Sequence, residues 1–215
     1  KPEAFLDIQN QLLGTAVPVD LIEYRGVLDG EQKTRVCANM INIGFDCNVV
    51  HRTSRLKTLP LVSGSLAYIL GILIEMIEKS GVALKVEHEG EALCDGKILL
   101  CAIANGSYCG GGLKGSPRAI NHDGLFDVQV IRDVTRRLML VLLPKYGKGT
   151  HLEDPRTAPF LDYRQVTSLT VTPCRSPLRV CVDGEMEMLD GPMELRILPA
   201  ALRFVVPKGI GVPAE

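Results

Sequence analysis

The stretch Leu178-Arg179-Val180-Cys181-Val182-Asp183-Gly184-Glu185-Met186-Glu187-Met188-Leu189 places two strand-like runs on either side of an Asp-Gly pair. Asp-Gly suits the two left-handed positions of a two-residue hairpin turn, so the segment reads as a β-hairpin with its tip at 183–184. The chain holds five Asp-Gly pairs in 215 residues, beginning at Asp29, Asp95, Asp123, Asp183 and Asp190. That density predicts an antiparallel, hairpin-rich, mainly β architecture with a few helices.

Working outward, residues 2–13 carry Phe5, Leu6, Ile8, Leu12 and Leu13 near helical spacing and predict one short leading helix. Strand patterns follow at 17–26 and 34–41 around the Asp29-Gly30 turn. A polar helix is predicted from Gly44 to about Leu59, and a second from Leu66 to Lys79 after Ser63-Gly64-Ser65. The second helix is apolar nearly all round. Burial in a core or at a domain interface is one reading of it, and contact with a bilayer surface is the other. Further strands are expected at 84–89, 93–104 (with turns at Gly90 and Asp95-Gly96), 126–133, 165–172, 178–183, 193–198 and 202–206. A helix is expected at 135–146, and a long surface loop at 148–163.

Composition removes several classes of function. Basic and acidic residues number 24 and 25, which leaves no basic footprint for nucleic acid. The seven cysteines are odd in number and none has Cys-x-x-Cys spacing. They read as reduced, buried cysteines of a cytosolic protein, neither a disulfide frame nor a zinc site. Histidines 51, 88, 122 and 151 share no metal-ligand spacing.

Gly110-x-Gly112-x-x-Gly115 matches a dinucleotide fingerprint in letters, but Ser116-Pro117 follows where a helix is required. It reads as a bent loop. Asp123-Gly124 is either a plain β-turn or one carboxylate of a small oxygen-rich cation site, with the carbonyls of Ile120 and Leu125 beside it. Asp183 and Glu185 are two apart. On a regular strand such residues share a face, so both carboxylates would enter one cleft, where one is commonly recruited as a base or metal ligand.

Several blocks, in order along the chain, resemble the soluble diacylglycerol-kinase-like lipid kinases. These are Asn39-Met40-Ile41-Asn42-Ile43-Gly44-Phe45-Asp46, Gly64-Ser65-Leu66-Ala67-Tyr68, Asn105-Gly106-x-Tyr108-x-Gly110-Gly111-Gly112, Pro117-x-Ala119 with Asp123-Gly124-Leu125-Phe126-Asp127-Val128, Val182-Asp183-Gly184-Glu185, and Leu198-Pro199-x-Ala201-Leu202. The resemblance implies the β-sandwich C-terminal domain of the NAD kinase/diacylglycerol kinase-like superfamily, filling residues 1–215 with a short helix and linker at 1–15. It implies Asp183 as the general base on a lipid hydroxyl and Glu185 as support for catalytic magnesium. Asp123, with the carbonyls of Ile120 and Leu125, would hold a structural Mg2+.

The family's ATP-binding Gly-Gly-Asp-Gly-Thr loop does not occur in this chain. The expected partner is therefore an absent N-terminal ATP-binding domain, with ATP as co-substrate, a lipid as acceptor, and no activity from this chain alone. Peripheral association with the inner membrane face is expected, and a homodimer is compatible with the sequence. A sphingoid, ceramide or NAD-kinase-like acceptor, or a non-catalytic β-rich binding module, are the alternatives. Asp183→Asn is expected to abolish turnover of the intact enzyme with folding almost unchanged. Asp123→Ala is expected to lower melting temperature and magnesium dependence together.

Overall fold

Alternating apolar residues and tight turns build ten strands in the computed structural model, which describes residues 2–60 and 62–211. They are β1 (Thr15–Leu28), β2 (Glu31–Cys37), β3 (Met40–Gly44), β4 (Val82–His88), β5 (Glu91–Ala104), β6 (Phe126–Arg132), β7 (Leu161–Val166), β8 (Ser168–Pro173), β9 (Leu178–Val182) and β10 (Glu185–Val206). The helices are α1 (Ile8–Leu12), α2 (Phe45–Leu56), α3 (Gly64–Glu78) and α4 (Arg136–Lys148). Every strand pairing is antiparallel. The neighbours run β2-β1-β10-β8-β4-β5-β3-β9, β9 returns to β10, and β6 and β7 branch from β5. The long β10 thus pairs with β1, β8 and β9 and curls the sheet back on itself. The antiparallel, mainly β fold expected from the Asp-Gly turns, and the sandwich that the resemblance implies, are the fold observed.

Strand alternation sorts the core into two layers. Ile41, Ile43, Ile103, Val128 and Val180 pack inside the curled sheet. Met40, Leu100, Ala102 and Ala104 project from the other face onto Phe45 and Val49 of α2 and Met139, Leu142 and Tyr146 of α4. β3 is therefore buried on both faces, which explains why Met40 and Ile41, on opposite sides of it, are both apolar.

Small residues let α3 lie close on α2. A Cβ on Gly71 would stand 2.9 Å from Thr53 Oγ1 and 3.2 Å from the Val49 carbonyl. Below this contact the buried Glu75 accepts from Arg52 Nε (3.0 Å), Asn48 Nδ2 (3.1 Å) and the Ser80 N–H (3.1 Å). The Ser63 hydroxyl caps the start of α3, and Lys79, in the left-handed conformation, ends it. Ala67, Gly71 and Glu75 face inward, whereas Leu66, Ile69, Leu73 and Ile77 stand 43–71% exposed. Burial in the core holds for one flank of this helix only: that flank packs and the other is an open apolar stripe. No helix among the described residues is long and apolar enough to cross a membrane.

Other expectations change at the level of single residues. The leading helix is split into a 3-10 turn (Pro2–Phe5) and α1 because the Asp7 carboxylate caps Gln9 and Asn10. Residues 34–41 are not one strand, since the chain bends at Ala38-Asn39 and β3 leaves for β5 and β9. Asp95-Gly96 stays within β5, paired with Lys85 and Leu84. The 165–172 segment divides at Thr167 into β7 and β8, which pair with different neighbours. The 148–163 segment is not loose. His151 and Thr157 are fully buried, and Lys145 and Arg156 clasp Asp154 at 2.7 and 2.8 Å. Lys1, part of the expected leading segment, lies outside the described residues, as do residues 212–215.

The turn from β3 into α2 requires glycine. Gly44 has φ 85° and ψ −129°, and a Cβ there would stand 2.5 Å from the Leu99 carbonyl oxygen. Gly44→Ala is expected to lower stability by more than about 2 kcal/mol, read as a melting-temperature drop of several degrees. An unchanged melting temperature would contradict this account of the junction.

Candidate active site

The hairpin between β9 and β10 turns on Asp183 (φ 48°) and Gly184 (φ 94°), the pair of positive φ angles that a type I′ turn needs. This leaves Asp183 outside both strands. The alternation expected to aim Asp183 and Glu185 from one strand face does not apply, because the chain reverses between them. Glu185 opens β10 opposite Val182, and its exposed carboxylate has no hydrogen-bond partner among the described residues.

Asp183 instead reaches across to the bend between β2 and β3. Its Oδ1 accepts the N–H groups of Asn39 and Met40, both at 2.9 Å, and the Cys37 thiol at 3.1 Å. Its Oδ2 accepts one N–H, from Ala38 at 2.7 Å. Burial first, and then the Asp183 carboxylate, push the Cys37 thiol well up, so it stays protonated as a donor. Since Oδ1 is saturated, the remaining accepting capacity of this exposed carboxylate is on Oδ2. The expectation that Asp183→Asn leaves folding almost unchanged is therefore corrected. An amide in this position sets an NH2 against a main-chain N–H on one side and weakens the bend.

The same bend draws in the other sequence blocks. The Asn39 carbonyl accepts from the N–H groups of Asn105 (2.8 Å) and Gly106 (3.1 Å), and Asn39 Nδ2 donates to the Tyr108 carbonyl at 3.0 Å. Fully buried Asn105 donates to the carbonyls of Asp20 (2.7 Å) and Ala38 (2.8 Å). Asp20, also buried, accepts from Gly124 N–H and Ala200 N–H, each at 2.7 Å. Segments 38–40, 105–108, 121–124, 183–184 and 200 thus meet at one end of the sheet. Asp20 gave no signal in the sequence: it lies on a strand, in none of the recognised blocks.

Asp123 is exposed, and its Oδ1 accepts the Leu125 N–H at 3.0 Å, as a plain turn would have it. Its other oxygen has no partner among the described residues. A carboxylate oxygen without a partner is a single ligand of the kind a hard cation takes. No group of three or more His, Cys, Asp or Glu side chains suited to a metal occurs among the described residues. The glycine cluster forms a short 3-10 turn at Gly110–Gly112 followed by extended Leu113, so it opens no helix. Five cysteines are buried and unbridged, Cys109 is half-buried, and Cys174 is exposed.

Beside the hairpin runs a groove that Gly184 lines together with Val50, Tyr68 and Gly110. The last three also line an apolar cavity of about 360 Å³ between α2, α3 and α4, walled by Phe45, Val49, Ile72, Met76 and Leu143. The groove at Gly184 and the apolar chamber therefore adjoin, while Asp183 and Glu185 line neither.

Two polar side chains stand in that chamber. Asn42, 8% exposed, has a buried amide oxygen without a hydrogen-bond partner, an arrangement that costs about 1–3 kcal/mol. Asp46, in the first turn of α2, accepts the Tyr146 hydroxyl at 2.7 Å. Burial pushes the Asp46 carboxyl up to about 6, against the opposing effect of the Tyr146 bond. Asp46 was visible in the Gly-Phe-Asp block, but nothing in its spacing indicated that α3 and α4 would close over it.

Residues 39–206 match the family model described as the YegS C-terminal NAD kinase beta sandwich-like domain. A Xanthomonas euvesicatoria protein named "Probable lipid kinase YegS-like" is 26% identical over 194 residues, 89% of this chain and 58% of that protein. A Mycobacterium tuberculosis protein named "Diacylglycerol kinase" is 27% identical over 166 residues, 77% of this chain and 50% of that one. The chain thus spans little more than half the length of these relatives. A crystal structure titled as a diacylglycerol kinase from Bacillus anthracis superposes with a TM-score of 0.58 over 92% of this chain and 56% of that one, at 16% identity, a likeness of fold.

The raised Asp46 pKa has a sign that can be tested. The folded state disfavours the ionised Asp46 carboxylate, so this group's contribution to stability is greatest below about pH 4 and is lost as pH rises through 6. Asp46→Asn is expected to raise the melting temperature near pH 7.5, by at most about 3 kcal/mol of stability, and to leave it almost unchanged near pH 4. A variant less stable than the parent at the higher pH would refute the burial account.

Proposed function

Because the chain belongs to the family of YegS C-terminal NAD kinase β-sandwich-like domains, we propose that it is the lipid-binding half of an ATP-dependent lipid kinase acting on a lipid hydroxyl such as that of diacylglycerol. The observation that carries this reading is the groove at Gly184, which shares Val50, Tyr68 and Gly110 with the apolar cavity. A hydrocarbon chain lies in the cavity and its head lies at the hairpin. The acceptor hydroxyl bonds to Oδ2 of Asp183, which takes its proton, while Oδ1 stays tied to the 38–40 bend. Phosphoryl transfer passes through a loose transition state, so positioning and charge neutralisation dominate catalysis and the base needs only alignment.

ATP is supplied by a nucleotide-binding region that this chain does not contain. Glu185 would support a catalytic magnesium ion, and Asp123 with the carbonyls of Ile120 and Leu125 would hold a second, structural one. Magnesium supplies neutralisation of phosphate charge when bound. The exposed stripe Leu66, Ile69, Leu73 and Ile77 on α3 meets the membrane surface from which the lipid is drawn.

One observation favours a non-catalytic binding module instead: most of Asp183's accepting capacity is used by the 38–40 bend. The two readings separate in one experiment. The protein bearing this chain together with a nucleotide-binding region is incubated with ATP, magnesium and a lipid panel, and phosphate transfer is followed. Transfer to at least one lipid is expected, with Asp183→Ala and Asp183→Asn losing at least about a hundredfold in turnover. Asp183→Asn should also melt earlier than the parent. No transfer to any lipid, or near-normal turnover in both variants, would replace the enzyme with the binding module.

A further inference from the structure

The glycine loop at residues 109–116 has two unlike ends. At its tip, Gly110 and Gly112 are exposed, and a Cβ on either would meet nothing within 4 Å. At its foot, Gly115 and Ser116 are buried. The loop borders the lipid path: Gly110 lines both the groove and the chamber, and Cys109 and Leu113 line the chamber. With no packing around these two glycines, the tip takes its position from the foot.

What holds the foot is a buried polar chain. Gln129 on β6, fully buried, donates its amide hydrogens to the loop, one to the Gly115 carbonyl at 3.0 Å and one to the Ser116 hydroxyl. With its nitrogen so committed, the amide turns its oxygen to His151, whose Nε2 lies 2.7 Å away. His151 therefore carries its proton on Nε2 and donates it to Gln129. The ring is fully buried in a 3-10 turn after α4 (His151–Glu153), 4.9 Å from the Tyr146 ring between centroids. Burial pushes its pKa down to about 4, so it stays neutral. The Lys114 N–H donates to the Gly147 carbonyl at 2.9 Å, and a Cβ on Gly115 would stand 2.9 Å from the Tyr146 hydroxyl. The foot is thereby pinned from two elements at once, β6 through Gln129 and the end of α4 through Tyr146, Gly147 and His151.

We propose that Gln129 and His151 are positioning residues for the lipid acceptor: they clamp the foot of the glycine loop, keep Gly110 at the junction of groove and chamber, and so set how readily a hydrocarbon chain enters. This rests on the reading of the chamber as the lipid site and adds the residues that shape its entrance. A buried amide and imidazole stabilise a core less than apolar side chains do, because each must find partners there. Here the partners are each other and the loop foot, so what the pair supplies is placement. The imidazole's Nδ1 is buried without a partner among the described residues, a further cost of keeping a histidine at this position. Neither side chain lines the groove or the chamber, and the Asp183 carboxylate is bonded elsewhere, to residues 37–40. Their loss therefore acts on lipid capture and leaves proton transfer and ATP use intact.

The test compares His151→Leu, which removes the donor, with His151→Gln, which keeps an N–H for the Gln129 oxygen. In the 215-residue chain, hydrogen exchange at 109–116 is expected to quicken at least about tenfold in His151→Leu, with exchange in β3 and β5 unchanged. His151→Gln should return it to near the parent. Turnover is read in the protein that also carries a nucleotide-binding region, with ATP and detergent-dispersed diacylglycerol, monoacylglycerol and long-chain amino alcohol. For whichever lipid accepts phosphate, His151→Leu is expected to raise the lipid KM at least about fivefold, with kcat and the KM for ATP within about twofold of the parent. His151→Gln should restore the lipid KM. Ser116→Ala, which removes one Gln129 acceptor and almost no bulk, decides the matter if His151→Leu does not fold. Faster exchange at 109–116 and a higher lipid KM, each by at least about twofold, are expected of it.

Parent-like exchange and lipid KM in His151→Leu, or no rescue by His151→Gln, would overturn the clamp and leave the lipid chamber standing. Equal losses in lipid KM, ATP KM and kcat would also overturn it, because they mark a general loosening of the fold. If the unaltered protein transfers phosphate to none of the three lipids, the lipid reading itself falls, and the clamp's role with it.

Discussion

The carboxylate of Asp183, gripping three successive main-chain N–H groups at 38–40, is the contact on which this end of the molecule depends. It forces the chain to leave β2 at Ala38 and to enter β3 in a new pairing. It also holds the β9–β10 hairpin against that corner. Once the bend is set, the Asn39 carbonyl is placed to receive Asn105 and Gly106, and Asn105 in turn reaches Asp20. Segments drawn from five separate parts of the sequence are fixed by a chain of bonds to main-chain atoms. Such bonds are insensitive to side-chain identity elsewhere, so the geometry rests on a few Asp and Asn residues.

The second constraint is the close approach of α3 to α2, which depends on Gly71 and on the buried Glu75–Arg52 pair. A buried ion pair contributes little net stability but is costly to break, so it fixes register more than it adds strength. With α3 placed, α4 closes the far wall and leaves an unfilled apolar chamber rather than a packed core. Keeping Asp46 and an unbonded Asn42 amide in that chamber works against stability. Groups retained against stability are a common mark of a binding site.

Much of the β architecture was legible because Asp-Gly turns and strand alternation are local signals. The β1–β2 hairpin, the β4–β5 hairpin and the turn at Asp183-Gly184 all follow from them. Asp95-Gly96 shows the limit: the same dipeptide stays inside a strand when β4 pairs across it. Family resemblance found Asp183, Glu185 and the 120–125 loop, but only the fold shows that Asp183 sits on a reversal and faces the 38–40 bend. Asp20 was invisible because its two carboxylate bonds go to Gly124 and Ala200, both far along the chain. The exposed stripe of α3 was illegible for a related reason: an all-apolar helix does not say which flank its neighbours will cover.

The central claim is that a lipid chain occupies the chamber between α2, α3 and α4, with its head at the Asp183-Gly184 hairpin. The most direct measurement is a crystal structure of the protein with a bound lipid. The account predicts continuous density from Ile72 and Leu143, past Tyr68 and Gly110, to the turn at Gly184. Density lodged in the other apolar groove, between Val17 and Phe204, with the chamber empty, would contradict it.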